Sequence, residues 1–256
     1  MLPDELRAAR EYDRWMVARD PHAVLMRFLM SVPGMILVNT PAFRLQEELR
    51  IGRHHRVLDL GCGRASLLRL LASRVRFKVM PVGLDASRQM LTLARNTLRD
   101  TGEAPVHLTL GLASEIPFAT GTFDLVICAH LFKYLSDEEL RRSLHEIRRV
   151  LKPGGLCIAW EFAPTGSRLL NRFNRYVLSR RFTPLRLRTY RHLQRLACEC
   201  QFDWIDNARL RPFLLPPIPR VSILLGKAPE GWHERLAQAG IRLKTPQAPC
   251  EQPADG

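Results

Sequence analysis

The stretch that decides the fold reads Val57-Leu-Asp-Leu-Gly-Cys-Gly-Arg-Ala-Ser66. A short apolar run with strand character enters a Gly-x-Gly turn, and a helical pattern over Ser66–Arg74 follows. Gly61 and Gly63 allow a tight bend and leave bare backbone for a ligand to lie against. The helix start behind them offers N–H groups and the positive end of the dipole, suited to a carboxylate or phosphate. A dinucleotide fold wants G-x-G-x-x-G/A at this turn, and the third position here is Ser66, which departs from that pattern. Alone, a Gly-x-Gly turn is weak, because structural glycine turns are frequent.

Outward from this turn the chain alternates. Strand-like runs at Val79–Asp85, Val106–Leu110, Phe123–Ala129 and Leu156–Phe162 are interleaved with helical patterns over Ser87–Arg99 and Ser136–Leu151. Short apolar strands alternating with helices predict an α/β fold with a parallel sheet wound on both faces. Ser136-Asp-Glu-Glu139 is a capping-box start. Lys152-Pro-Gly-Gly155 is a stop and turn before the next strand. Further strands are expected at Phe202–Leu210 and Val221–Lys227, and a short helix at Gly231–Gln238.

A second signal ends the next strand, at Val82-Gly-Leu-Asp85-Ala-Ser87. Nucleotide folds place a ribose-binding acid about 20 residues beyond the glycine turn. A carboxylate can accept from both ribose hydroxyls at once. The competing reading is that Asp85 caps the helix starting near Ser87, a task Ser87 can perform alone.

Two more motifs name a family. Gly111-Leu-Ala-Ser-Glu-Ile-Pro-Phe118, followed by Phe123-Asp-Leu-Val-Ile-Cys-Ala-His130, resembles the G-D-A-x-x-L-P-F…F-D-x-V stretch of ubiquinone/menaquinone-biosynthesis methyltransferases. Leu151-Lys-Pro-Gly-Gly155 resembles the turn before their fifth strand. Asp59, Gly61 and Gly63 match the D-x-G-x-G-x-G motif of class I methyltransferases, with Ala65 in place of the last glycine. The four motifs follow the family's order across about 57–162. The resemblance implies a Rossmann-like, seven-stranded, mostly parallel sheet with helices on both faces and the last strand antiparallel. It also implies S-adenosylmethionine (SAM) as cofactor, held by Asp59, Gly61, Gly63, Asp85, Ala86, Leu112, Ala113 and Ala129. In the family the acid after the third motif's glycine touches the adenine amino group. Leu112 stands at that position here, so the polar clasp is lost or comes from Ser114, the backbone or another residue.

The expected organisation is an N-terminal helical lid segment over 1–50, a SAM-binding domain over 51–228 with a basic helical insertion at about 164–200, and a C-terminal helix and flexible tail over 229–256. Tyr12-Asp-Arg-Trp15 resembles a segment that folds over the cofactor in the family; an ordinary amphipathic helix explains it equally well. Methyl transfer is an in-line displacement, so the protein mainly aligns the partners. An acceptor hydroxyl or acidic carbon gains from a base. His130, at the end of the fourth strand, is the candidate, against a role in merely lining the pocket. Glu161 is a second candidate, against the reading of a solvated loop carboxylate.

The chain has 256 residues and a formal net charge of +14. That surplus points to nucleic acid, an anionic membrane surface, an acidic substrate, or simply Arg-rich coding. Between Glu161 and Glu199 there is no acid and the arginines are dense. Leu169, Leu170, Phe173, Tyr176, Val177 and Leu178 recur among them, a pattern suited to a lid or to peripheral contact with an anionic membrane. The six cysteines form no C-x-x-C pair, Cys198-x-Cys200 is too sparse for a metal, and the histidines show no ligand spacing, so no metal is expected. Free thiols fit a reducing cytoplasm. No secretory signal opens the chain, and Val24–Phe43 is too interrupted to span a membrane. The expected acceptor is a small apolar or amphipathic molecule: a quinone precursor, lipid or secondary metabolite. An RNA methyltransferase is the alternative, disfavoured because the fourth strand ends in Cys-Ala-His-Leu rather than an N-P-P-Y type motif. A non-catalytic SAM-binding protein is the third reading. The oligomeric state stays open.

Overall fold

The computed structural model describes residues 3–17, 19, 24, 28, 45–99, 105–172, 185–208 and 219–229. Seven strands form one sheet: β1 (Val57–Leu60), β2 (Val82–Asp85), β3 (His107–Leu110), β4 (Phe123–Ala129), β5 (Leu151–Phe162), β6 (Trp204–Asp206) and β7 (Arg220–Gly226). Their order is β3-β2-β1-β4-β5-β7-β6. The first five pair in parallel, and β7, the last strand in sequence, is antiparallel to both β5 and β6. The expected doubly wound sheet with an antiparallel last strand is present. The strand order reverses at β1, with β2 and β3 added on one side and β4 and β5 on the other, which opens a crevice at the carboxyl ends of β1 and β4.

Every residue of β1 is buried, as expected of a central strand covered on both faces. Leu58 and Leu60 face one layer, with Val126, Cys128, Leu140, Leu144 and Ile147. Val57 faces the other, with Leu67, Leu71, Val75, Leu125 and Ile127. The described helices are α1 (Asp4–Val17), α2 (Leu45–Glu48), α3 (Ser66–Val75), α4 (Arg88–Arg99), α5 (Asp137–Val150) and α6 (Tyr190–Glu199); α5 and α6 pack into the first layer, α2 and α3 into the second. Full burial of Leu140, Leu144 and Ile147 contributes about 1.5–3 kcal/mol per side chain. The capping box of α5 forms as expected: Ser136 Oγ accepts from the Glu139 N–H, and Glu139 accepts from the Ser136 N–H at 2.8 Å.

The structure also corrects several expectations. β2 begins at Val82 rather than Val79, because Met80 is exposed and Pro81 has no N–H for the ladder. Lys152-Pro-Gly-Gly155 does not separate α5 from the strand. β5 starts directly at Leu151 and absorbs these residues in a register shift opposite Phe123 and Leu125, with Gly154 at φ +85°. β6 is shorter than Phe202–Leu210 because Phe202 turns into the core instead of entering the ladder. The helix expected at Gly231–Gln238, the C-terminal tail, and Phe173, Tyr176, Val177 and Leu178 lie outside the described residues.

Two arginines of the arginine-rich stretch are engaged by the fold. Arg188 is 5% exposed. It donates to the Phe132 and Leu135 carbonyls, both at 2.7 Å, and pairs with Asp137. Arg186 pairs with Asp4 of α1 at 2.8 Å, and its N–H donates to the Lys133 carbonyl. These two cations hold the 3-10 turn Phe132–Tyr134 and the start of α1 in place. No described helix is long and apolar enough to cross a membrane.

Candidate cofactor and acceptor site

β1 delivers the glycine turn to the crevice. Gly61 and Gly63 take φ +75° and +53°, a region that favours glycine, and Ala65 follows at +56°. The Gly61 and Cys62 N–H groups both donate to the Leu84 carbonyl, at 2.8 and 3.0 Å, which ties the turn to β2. A Cβ on Gly61 would meet the Leu131 side chain at 3.3 Å. Beside Gly63 a Cβ would meet nothing within 4 Å, so this part of the turn is open. Ala65, at the N-cap of α3, has no side chain able to cap the helix.

Asp85 ends β2 beside this turn. One carboxylate oxygen accepts from the Gly63 N–H and the other from the Ser87 N–H, each at 2.8 Å. Ser87 Oγ caps α4 through the Met90 N–H. Asp85 therefore does not replace the cap; it braces the glycine turn. Burial pushes its pKa up to about 6, the two N–H donors pull the other way, and Asp13 adds to the rise. Asp59, within β1, is buried and pushed up to about 7 by burial and by Asp85. Two carboxylates beside an open glycine turn, with free room at Gly63, fit a ligand bearing hydroxyl or cationic groups. The residues present therefore suit a nucleoside with a positive centre.

Ala86 follows Asp85 directly. Gly111 to Ala113 continue β3 across the same edge, where the Gly111 N–H donates to the Asp85 carbonyl at 3.2 Å. Leu112 is half-buried and Ala113 fully buried. Helix α1 lies over this rim. Ser87 Oγ donates to Asp13, the Asp4 N–H donates to Glu139 at 2.6 Å, and the Ala113 N–H donates to Glu5 at 2.8 and 3.0 Å. Sequence reading missed Glu5; the acidic inner face of α1 was its only trace. The side chains of Tyr12 and Trp15 lie outside the described residues.

On the other side of the crevice, β4 ends at Ala129, and His130 follows in a left-handed conformation at φ +59°. Its ring stacks on Phe162 at 4.6 Å between centroids. Neither ring nitrogen has a hydrogen-bond partner among the described residues. Glu161 is not the solvated loop carboxylate considered above. It lies within β5, 3% exposed, 3.7 Å from the Lys133 ammonium and 3.9 Å from His130 Nδ1. The reason is register: Glu161 pairs with Val221 inside the β5-β7 ladder rather than following the strand. Burial raises its pKa and Lys133 opposes the rise. His130 is held well below its ordinary pKa by burial and by the charges of Lys133 and Arg220. The Arg220 guanidinium lies 4.0 Å from the Phe162 ring centre. Among the described residues no group of His, Cys, Asp or Glu is arranged to hold a metal ion.

A methyltransferase-domain family model matches residues 57–155, the span from β1 into β5. Demethylmenaquinone methyltransferase of Symbiobacterium thermophilum is 35% identical over 147 residues, covering 56% of this chain and 55% of that protein. The 2-phytyl-1,4-naphtoquinone methyltransferase of Thermosynechococcus vestitus is 30% identical over 190 residues, covering 68% of this chain and 79% of that protein. The chain thus spans little more than half of the first relative and most of the second. Among solved structures, a SAM-dependent methyltransferase from Methanosarcina mazei superposes with a TM-score of 0.59 at 23% identity, covering 70% of this chain and 95% of that one. That likeness concerns the fold. The chain belongs to the class I SAM-dependent methyltransferase family and resembles its ubiquinone/menaquinone-biosynthesis group.

Proposed function

We propose that the chain transfers a methyl group from SAM to a small, acidic, apolar or amphipathic acceptor of the quinol type. In this reading the Gly61–Gly63 turn takes the methionine end of the cofactor, Asp85 takes the ribose diol, and Ala86, Leu112 and Ala113 line the adenine. Asp59 supports the turn from beneath, and Ala129 flanks the reacting centre. The bound sulfonium supplies an activated methyl group. Everything else falls to alignment and to handling one proton.

The observation that carries the acceptor side is His130: a half-buried imidazole, held neutral by its lowered pKa and with both nitrogens unpartnered among the described residues, beside the glycine turn through its neighbour Leu131. A neutral imidazole can accept the proton that a hydroxyl or acidic ring carbon loses as its methyl bond forms. Its lowered basicity suits an acceptor that is itself acidic. Lys133 and Arg220, the cations that hold His130 neutral, also favour an oxyanion next to it. A phenol or hydroquinone meets both demands, in keeping with the quinone names of the relatives. An RNA acceptor loses support where Arg186 and Arg188 are engaged by Asp4 and Asp137, and Arg188 also by the Phe132 and Leu135 carbonyls, rather than left to a phosphate surface. Leu169, at 81% exposure beside Arg168 and Arg172, supports peripheral contact with an anionic membrane where an amphipathic acceptor would partition.

The test is methyl transfer from labelled SAM to reduced naphthoquinones, phospholipid and RNA fractions, with wild type and His130→Gln. The proposal expects label in the quinol fraction and a loss of roughly 10²–10⁴-fold in kcat for His130→Gln, with S-adenosylhomocysteine affinity kept. Label only in RNA, or tight cofactor binding with no turnover on any fraction, would replace it with one of the two alternatives.

A further inference from the structure

Adenine presents a ring-nitrogen acceptor next to an amino-group donor. Its complement is a protein donor next to a protein acceptor. The β3 rim holds such a pair already: the Ala113 N–H and the Glu5 carboxylate, joined at 2.8 and 3.0 Å. The pair lies where a purine would fall. Strand order runs β1-β2-β3, so a nucleoside with its sulfur over Gly61 and its diol on Asp85 extends its base one strand further, toward the loop after β3. Neighbouring strands are about 4.8 Å apart, roughly the step from ribose to base. Asp85 pairs with Leu110, three residues before Ala113. Leu112, the residue whose side chain could otherwise read the base, has no polar group.

We propose that Glu5 is the adenine-reading acid of this chain, resting on the reading of the site as a SAM site. The incoming base enters between carboxylate and N–H: its ring nitrogen takes the Ala113 N–H, and its amino group donates to Glu5. Helix α1 thereby becomes part of the cofactor pocket, and the acid missing at position 112 is supplied from 107 residues upstream (112 − 5). Three fixings aim Glu5 at this point. The Asp4 N–H is held by Glu139, the Asp4 carboxylate by Arg186, and Asp13 by Ser87. Glu5 itself is 5% exposed, and burial raises its pKa to about 7 even against the Ala113 N–H, as expected for an acid kept in place for a ligand rather than for solvation.

The experiment compares, by calorimetry on the full chain, S-adenosylhomocysteine with its analogue that carries purine in place of adenine and so lacks only the amino group. Wild type should prefer the amino form about tenfold, the worth of one hydrogen bond to a charged acceptor. Glu5→Ala should bring that ratio to about one, and adding Leu112→Asp to Glu5→Ala should restore part of it. An unchanged ratio in Glu5→Ala overturns the proposal while leaving the cofactor site intact. No binding of S-adenosylhomocysteine to folded wild type instead overturns the SAM reading beneath it. If Glu5→Ala undocks α1 and binds neither ligand, Glu5→Gln decides: a ratio below about threefold supports the proposal, and a wild-type ratio refutes it.

Discussion

Asp85→Asn separates two roles that one carboxylate holds together. In the structure its two oxygens accept from Gly63 and Ser87. An amide keeps one acceptor and turns a donor toward the other N–H, so one charge-assisted bond is lost at the turn or at the ribose. Hydrogen bonds to charged groups contribute roughly 1.5–3 kcal/mol, and about 1.4 kcal/mol is tenfold in affinity, so S-adenosylhomocysteine should bind roughly 10- to 150-fold more weakly. The same substitution removes a half-buried negative charge beside Asp59 and Asp13. Stability of the protein without ligand at about pH 8 should therefore hold or rise slightly, because the lost bond is offset by relief of charge burial. Calorimetry measures the first quantity and thermal unfolding the second. A variant that binds as tightly as wild type would refute the ribose role. A variant that loses several kcal/mol of stability together with its affinity would show that Asp85 is a scaffold residue first.

Gly83→Ala should destabilise the fold by about 1–3 kcal/mol in denaturant unfolding. The new Cβ would lie 2.8 Å from Cys62 Sγ, 2.9 Å from Leu68 Cδ1 and 3.0 Å from Leu108 Cδ2, where α3 presses on β2. Ser136→Ala removes the α5 cap and should cost about 1 kcal/mol of stability, checked by denaturant unfolding. Affinity for S-adenosylhomocysteine should be level above about pH 8 and fall as pH drops through about 7 and then 6, because the adenine amino group needs the ionised form of Glu5 and the ribose hydroxyls that of Asp85. Stability of the ligand-free protein carries the opposite contribution from the same groups. Asp59 and Asp85 bind protons more tightly folded than unfolded, so the stability they contribute is full below about pH 4 and lost as pH rises through about 6 to 7.

The parallel core was legible because its signals are local. A central strand covered on both faces must be apolar throughout, as β1 is, and its helices announce themselves by caps such as Ser136-Asp-Glu-Glu139. Gly61 and Gly63 were readable for the same reason, since a positive φ favours one residue type. Where long-range contacts decide, the sequence was silent. Whether Glu161 is solvated or buried depends on pairing with β7, some 60 residues later, and on Lys133 from another segment. The arginine run reads as one basic surface until Asp4, Asp137 and the carbonyls of Phe132 and Leu135 are placed beside Arg186 and Arg188. Glu5 could not be assigned to the site at all, because nothing in the first turn of an amphipathic helix says which distant N–H it will meet.

The most direct measurement is a crystal structure of the full chain with S-adenosylhomocysteine. The account predicts the sulfur and amino-acid end over Gly61 and Gly63, both ribose hydroxyls on Asp85, and the purine against Ala113 with its amino group facing α1. A nucleoside bound elsewhere on folded protein, or lying in the crevice with its diol away from Asp85, would contradict it.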